Sequence, residues 1–513
     1  MTDLIQESSA STVFGLFQAR AGLHPRRVAT QDARVTRSYG ELEDRSVRLA
    51  SAFSARGIGR GDQIAILSEN RVEYLEVVLA AARLGAVVAC LNWRLTPREI
   101  DESLDVVTPS LVVVSPRHQN LLQAATQGRR ASLVIGEAFE ASLALRTNVA
   151  TERVDPEDAL LVIYTSGTTG RPKGAAISHR AEVVRNLVTR VEYGIAPDDA
   201  FAAWTPLFHM GAADNALGTL MSGGKVVVID GFDPDRLIHT VETEKLGWLL
   251  LMPGMVGKFA DLLQVRAVRP AGVRVCGVMP DLVSPQDVAR VTALLQSPYA
   301  NTFGSTETGC PPCSAGLIPP GEVPSALAKT QSAFCEVRLE SDGHSVPVGV
   351  PGEVCMRGPT MFSGYWGVPE VNAVDFRDGW FHMGDLMVRH DDGTLDFVDR
   401  AKYLIKSGGE NIYPAEIERV LLQHPAVLEA AVVRRPDTRW GEVPIAFLLS
   451  ADPGLDESEL RALCRRDLAS YKHPKDFVFL VGDGLPRNDT GKIQRAELER
   501  RAAHASSTAG VVP

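Results

Sequence analysis

With 513 residues, the chain is too long for one compact core; at roughly 100–200 residues per domain it should divide into two to four units. Hydrophobic residues make up 45% and charged ones 23%, an ordinary soluble balance, and 53 Lys and Arg against 63 Asp and Glu give a net charge of −10. That charge argues against a general nucleic-acid or anionic-membrane binder, so any anion must be held locally. The first residues lack a basic stretch followed by an apolar one, and no apolar tract is long enough to span a bilayer, so a cytoplasmic protein is expected. Seven cysteines, an odd number scattered along a long chain, are expected to be reduced. Cys310 and Cys313 have the spacing of a metal or redox pair, but no second pair accompanies them, so they read as structural.

Taken in order, the periodicity predicts a helix over 38–56 closed by Gly57, a strand over 63–67, a helix over 73–84, a strand over 86–91, a helix over 96–104 opening on Thr96 and Pro97, and a strand over 111–114. After an apolar run from Leu161 the rhythm continues: helix 180–193, strand 202–205, helix 212–221, strand 225–229, helix 234–244, strand 248–252. Alternating strands and helices imply parallel sheets covered by helices. Between about 331 and 399 the texture changes to short Gly- and Pro-punctuated runs, read as an antiparallel unit. Beyond Asp399 and Arg400 a smaller α+β domain is expected over 403–501, with an unstructured Ala/Ser-rich tail over 502–513.

The apolar run ends in Thr165, Ser166, Gly167, Thr168, Thr169, Gly170 and Lys173. Glycines permit close backbone approach, hydroxyls donate hydrogen bonds and the lysine carries charge, which are the ingredients of a phosphate site. The spacing is not that of the common P-loop, because Pro172 stands where that motif has its second glycine. Four further stretches are dense in site-type residues: 205–211 with His209, 302–309 with Gly304, Ser305, Thr306 and Glu307, 379–417 with Asp385, Arg400, Lys402, Ser407, Gly408, Gly409 and Glu410, and 486–493 with Lys492.

Together and in this order, these five motifs resemble the adenylate-forming superfamily, on its acyl-CoA and aryl-CoA synthetase branch, over about residues 14–495. The resemblance implies an α/β fold: a large N-terminal domain over 1–399, with two parallel α/β subdomains over 1–330 and a β-barrel-like antiparallel one over 331–399. A hinge at 400–402 and a small mobile C-terminal domain follow. It implies an ATP-dependent carboxylic acid:CoA ligase that forms an acyl adenylate and pyrophosphate, then a CoA thioester and AMP, with ATP, Mg2+ and coenzyme A as cofactors. Two anions must meet in the first step, so positive charge is needed at the α-phosphate. Lys492 matches the catalytic lysine, Glu307 the Mg2+ carboxylate assisted by Thr165, and the loop from Thr165 to Lys173 the clamp on the outer phosphates. Gly304, Ser305 and Thr306 join the ATP site, Asp385 and Arg400 match the ribose binders, and His209 stands at the acyl site. Lys402 matches the hinge, Ser407, Gly408, Gly409 and Glu410 match the loop that lines the pantetheine tunnel, and Trp440 matches a segment near the CoA nucleotide.

Departures concern the pocket. Val278 and Met279 stand where the family usually has small residues, and with His209, Ala213 and Asn301 they form a mostly apolar candidate wall. This favours a fatty or aromatic acid over a dicarboxylate. An enzyme loading a carrier-protein thiol shares the first half-reaction and is the alternative. Small-molecule acid, ATP and CoA are the expected partners, with a homodimer as the default assembly.

Overall fold

The computed structural model describes residues 8, 10–144, 153–165, 172–407, 410–480, 484–487 and 493–507. Its contacts form two compact units, Met1–Val337 with Met356–Phe381, and Arg338–Cys355 with His382–Pro513. The antiparallel strands that the sequence groups wholly with the N-terminal segment thus pack in part with the C-terminal one.

The first unit holds two α/β sheets. A six-stranded sheet runs Ser132–Val134, Leu111–Val114, Gln63–Leu67, Val87–Cys90, Ala159–Thr165, Lys173–Ser178. All neighbours are parallel except the last pair, which is antiparallel. An eight-stranded sheet has parallel inner strands, among them Ala200–Ala203, Leu246–Leu249 and Val273–Cys276, and antiparallel partners at both ends. Strands buried on both faces need unbroken apolar runs, which is why Leu111–Val114 and Val87–Cys90 carry no polar alternation. Two of the helices between them open on capping boxes, Ser38 with Glu41 and Thr96 with Glu99.

The predicted order of elements holds, with shifted ends. The strand expected over 202–205 is Ala200–Ala203, and the one expected over 248–252 is Leu246–Leu249. In the second case Leu250 and Leu251 are also buried, so burial extends past the last ladder bond and hides the strand's end from the sequence. The first strands, Val28–Gln31 and Thr36–Ser38, have no counterpart among the expected elements.

A six-stranded antiparallel sheet includes Glu336–Ser341, Gly352–Arg357, Trp380–Arg389 and Leu395–Arg400. A five-stranded sheet over Ile405–Ser407, Glu410–Ile412, Val427–Asp437, Gly441–Ser450 and Asp476–Leu480 follows, its core formed by Ile417, Leu421, Val432, Leu448 and Leu460. The last helix, Arg495–Ser507, runs past 502, so the first six residues of the expected tail are helical: three of them are Ala, which favours helix regardless of the low-complexity look. Among the described residues no helix is long and apolar enough to cross a membrane.

Candidate functional site

The glycine-rich link is closed at its base by a hairpin. Tyr164 pairs with Gly174 and Thr165 with Lys173, so the two ends of the connection are held side by side. Gly174 has no room for a side chain, since a Cβ there would lie 2.5 Å from Val162 Cγ1. Lys173 leaves the hairpin with its ammonium 4.8 Å above the Tyr365 ring and 3.9 Å from Asp375 Oδ2. Ser166, Gly167, Thr168, Thr169 and Gly170 lie outside the described residues.

Glu307 sits on the turn of a second hairpin, between Phe303–Ser305 and Gly309–Cys313. Gly304 is required there: a Cβ would meet the Gly309 carbonyl oxygen at 2.1 Å. The Ser305 N–H donates to Thr308 Oγ1 at 3.0 Å, which tightens the turn, and the Tyr365 hydroxyl donates to Glu307 Oε1 at 2.8 Å. From below, the buried Arg185 donates to the carbonyls of Thr306 and Thr360, each at 3.0 Å, and pairs with Asp214 at 3.3 Å. Burial pushes the carboxyls of Glu182 and Asp214 up; for Glu182 the neighbouring Asp214 charge adds to the shift. Glu307 and the hydroxyls of Ser305 and Thr306 are hard oxygen donors, a set that suits Mg2+ rather than a soft metal.

His209 stands at the N-terminal boundary of the helix Met210–Ser222, with its ring 4.4 Å from that of Phe208. Its loop is fixed by a residue the sequence reading missed. Asn70 donates to the carbonyls of Ala203, Thr205 and Ile229, and its Oδ1 accepts from Leu207 N–H at 2.8 Å. Ala213 follows one turn later and is buried. Met279 occupies the left-handed region at φ +47° and is 40% exposed, while Tyr299 donates to the Val278 carbonyl at 3.0 Å. Asn301 Oδ1 accepts from the fully buried Lys329 at 2.5 Å, and the same ammonium meets Asp281 at 2.5 Å. The cation bonded to Asn301 is therefore already paired with a carboxylate.

In the second unit Asp385 and Arg400 are cross-strand partners, and their side chains form an ion pair at 3.0 Å. The buried Asp399 accepts from the N–H groups of Arg400 and Ala415. Lys402 lies over the Tyr403 ring at 4.8 Å, with Arg495 at 4.9 Å from the same ring and bonded to Glu418. Ser407 pairs with both Glu410 and Gly441, which brings the segment carrying Trp440 beside the 407–410 loop although more than thirty residues separate them in sequence. Trp440 is 42% exposed and Glu442 Oε2 accepts from Lys406 N–H at 2.9 Å. Gly408, Gly409 and Lys492 lie outside the described residues.

Glu340, Cys355 and His382 also cluster in this unit. Cys355 Sγ is 3.4 Å from Glu340, His382 Nδ1 is 3.1 Å from Glu353, and Arg338 pairs with Glu340 at 2.5 Å. Burial, with the Glu340 charge second, pushes the Cys355 thiol up to about 12. A protonated thiol among hydrogen-bonded partners is a satisfied core cluster, not a preformed thiolate site. All seven cysteines are free, in line with the sequence reading.

The fold and these parts define an enzyme of the adenylate-forming kind. The chain belongs to the AMP-binding enzyme family: that family's model matches residues 17–366, and the model of the AMP-binding enzyme C-terminal domain matches 416–492. It is 36% identical over 489 residues to a feruloyl-CoA synthase of Amycolatopsis sp, covering 94% of this chain and 97% of that one. It is 34% identical over 501 residues to an indoleacetate–CoA ligase of Aromatoleum aromaticum, covering 94% and 96%. Among solved structures it resembles the o-succinylbenzoate CoA synthetase of Bacillus subtilis in complex with its acyl-adenylate intermediate, with a TM-score of 0.83, 27% identity and coverage of 96% and 98%. The same synthetase in complex with ATP and magnesium ion matches with a TM-score of 0.81 and 28% identity, covering 94% and 98%.

Proposed function

We propose that this protein is an AMP-forming acid–CoA ligase whose acid is aromatic and which works in the cytoplasm. An acid carboxylate attacks the α-phosphate of ATP, pyrophosphate leaves, and the CoA thiol then displaces AMP from the acyl adenylate. Bound Mg2+ neutralises charge on the phosphate oxygens. Glu307 and Thr165 would hold it, and Lys173 with the 165–170 loop would grip the outer phosphates. Lys492 bridges the carboxylate and the α-phosphate as a point charge. Asp385 accepts from the ribose hydroxyls, and Arg400, paired with it, fixes its orientation. Lys402 serves as hinge between the half-reactions, and Ser407, Gly408, Gly409, Glu410 and Trp440 line the thiol's passage.

One observation carries the choice of acid. The Lys329 ammonium, bonded to Asn301 of the proposed pocket set His209, Ala213, Val278, Met279 and Asn301, is already paired with Asp281. A second carboxylate on the substrate would find no unspent charge there, whereas a planar apolar ring would find matching surface. Feruloyl-CoA synthase and indoleacetate–CoA ligase among the relatives agree with this. The test is a panel of ferulate, cinnamate, benzoate, indoleacetate, fatty acids and a dicarboxylate, read by pyrophosphate release and by thioester formation with CoA. Aromatic acids should exceed the others in kcat/KM by at least about tenfold, the scale of one well-matched apolar contact. Faster turnover of a fatty acid would overturn the aromatic assignment. Pyrophosphate release without a CoA thioester would shift the acceptor to a carrier-protein thiol.

A further inference from the structure

One phenol touches both ends of the phosphate-binding apparatus. The Tyr365 hydroxyl donates to Glu307 Oε1 at 2.8 Å, and the Lys173 ammonium rests 4.8 Å above the same ring. Neither contact is visible in the sequence, where Tyr365 lies in a Gly-rich connection far from both motifs.

We infer that Tyr365 is a positioning residue that holds Glu307 in the orientation that takes Mg2+ and seats Lys173 beside it. The inference rests on the reading of Glu307 as the Mg2+ carboxylate. Glu307 is a half-buried side chain with three rotatable bonds on a tight turn, and unaided it would sample several rotamers. The hydroxyl fixes Oε1 and leaves Oε2 to face a hard cation. The same segment also fixes the backbone, since the Phe362 N–H donates to the Glu307 carbonyl at 2.8 Å.

Tyr365 is itself held on every side. Its N–H donates to Asn372 Oδ1 at 2.7 Å, its carbonyl accepts from Asn372 Nδ2 at 2.9 Å, and its ring lies 5.0 Å from that of Phe362. It also bridges Ala175 on the strand that begins with Lys173. A residue locked this firmly transmits geometry. Lys173 is held more weakly, by a ring face and an Asp375 oxygen at 3.9 Å, contacts that a phosphate can replace. Ligating carboxylates are commonly hydrogen-bonded in this way, and losing such an outer partner costs about ten- to a hundredfold in metal affinity.

The experiment uses full-length protein with α,β-methylene-ATP and Mn2+ as the Mg2+ probe, counting bound Mn2+ by electron paramagnetic resonance. Tyr365→Phe keeps the ring and its packing and removes only the hydroxyl. It should raise the Mn2+ dissociation constant about tenfold while leaving nucleotide binding without the cation unchanged. Tyr365→Leu should do the same and also weaken the nucleotide itself, because Lys173 loses its seat. The Tyr365→Phe/Glu307→Gln double variant should be no weaker for Mn2+ than Glu307→Gln alone. If Glu307→Gln weakens Mn2+ and Tyr365→Phe only lowers the melting temperature, the hydroxyl is structural and the inference is overturned while the role of Glu307 stands. If Glu307→Gln leaves Mn2+ unmoved, the reading beneath the inference fails.

Discussion

His179 opens the helix His179–Tyr193, fully buried, with Nδ1 accepting the Val13 N–H at 3.3 Å. Burial lowers its pKa to about 4, against the weaker upward pull of Asp158, so the ring is neutral in the folded protein. The unfolded chain takes up a proton near the ordinary histidine value of about 6.5, where the folded one does not. Stability is therefore complete above that value and falls as the pH drops from about 6.5 towards 4, by about 2–3 kcal/mol at pH 4.5 from this group alone. His179→Gln keeps an acceptor and cannot titrate. Its denaturant midpoint should change less between pH 7 and 4.5 than that of wild type, and equal slopes would remove His179 as the cause. Arg185 gives a second prediction at this scale. Arg185→Met strips the cation from the buried Asp214 and should cost about 3–5 kcal/mol in chemical denaturation. Glu182→Gln puts an uncharged isostere where burial already disfavours the charged carboxylate, and should stay within about 1 kcal/mol of wild type.

At the scale of elements, the two hairpins explain what could be read in advance. Alternating apolar runs and capping signals such as Thr96-Pro97 are local, so the strand and helix order and the parallel sheets followed from the sequence. The Lys173–Ser178 strand was not legible there, because its pairing with Ala159–Thr165 is set across a loop whose glycines read only as a ligand site. Motifs gave Glu307, Asp385 and Arg400, and the structure pairs the last two on adjacent strands. Asn70, Arg185 and Tyr365 were illegible for one physical reason: each acts on a loop more than fifty residues away, and spacing carries no signal for contacts of that length. The Cys310–Cys313 spacing is explained by a strand rather than a ligand pair. Gly304 makes the hairpin testable. Gly304→Ala places a methyl where the Gly309 carbonyl stands, so the turn carrying Glu307 must open. Pyrophosphate release should fall at least about tenfold with the far-ultraviolet dichroism unchanged. Wild-type activity in that variant would show that the turn tolerates displacement.

For the whole molecule, the residues proposed for adenylation are drawn from both compact units, whereas those proposed for the thiol's passage all belong to the second. Lys173, His209 and Glu307 belong to the first compact unit, while Asp385, Arg400, Ser407 and Trp440 belong to the second. The two half-reactions have opposed needs. On the proposed assignment the first needs positive charge from Lys492 where two anions meet; the second needs an open passage for a long thiol to reach the same carbonyl. One residue set cannot meet both demands at once, so substitutions should separate them. Lys492→Ala should lower acid-dependent pyrophosphate release by at least about a thousandfold, the scale of a lost electrostatic contact in the transition state, yet convert supplied acyl adenylate and CoA to thioester near the wild-type rate. Gly409→Leu should show the converse, with normal pyrophosphate exchange and little thioester, because a branched side chain would narrow the proposed thiol passage. Equal loss of both half-reactions in either variant would mean that one fixed arrangement serves both steps, and the hinge at Lys402 would then have no chemical task.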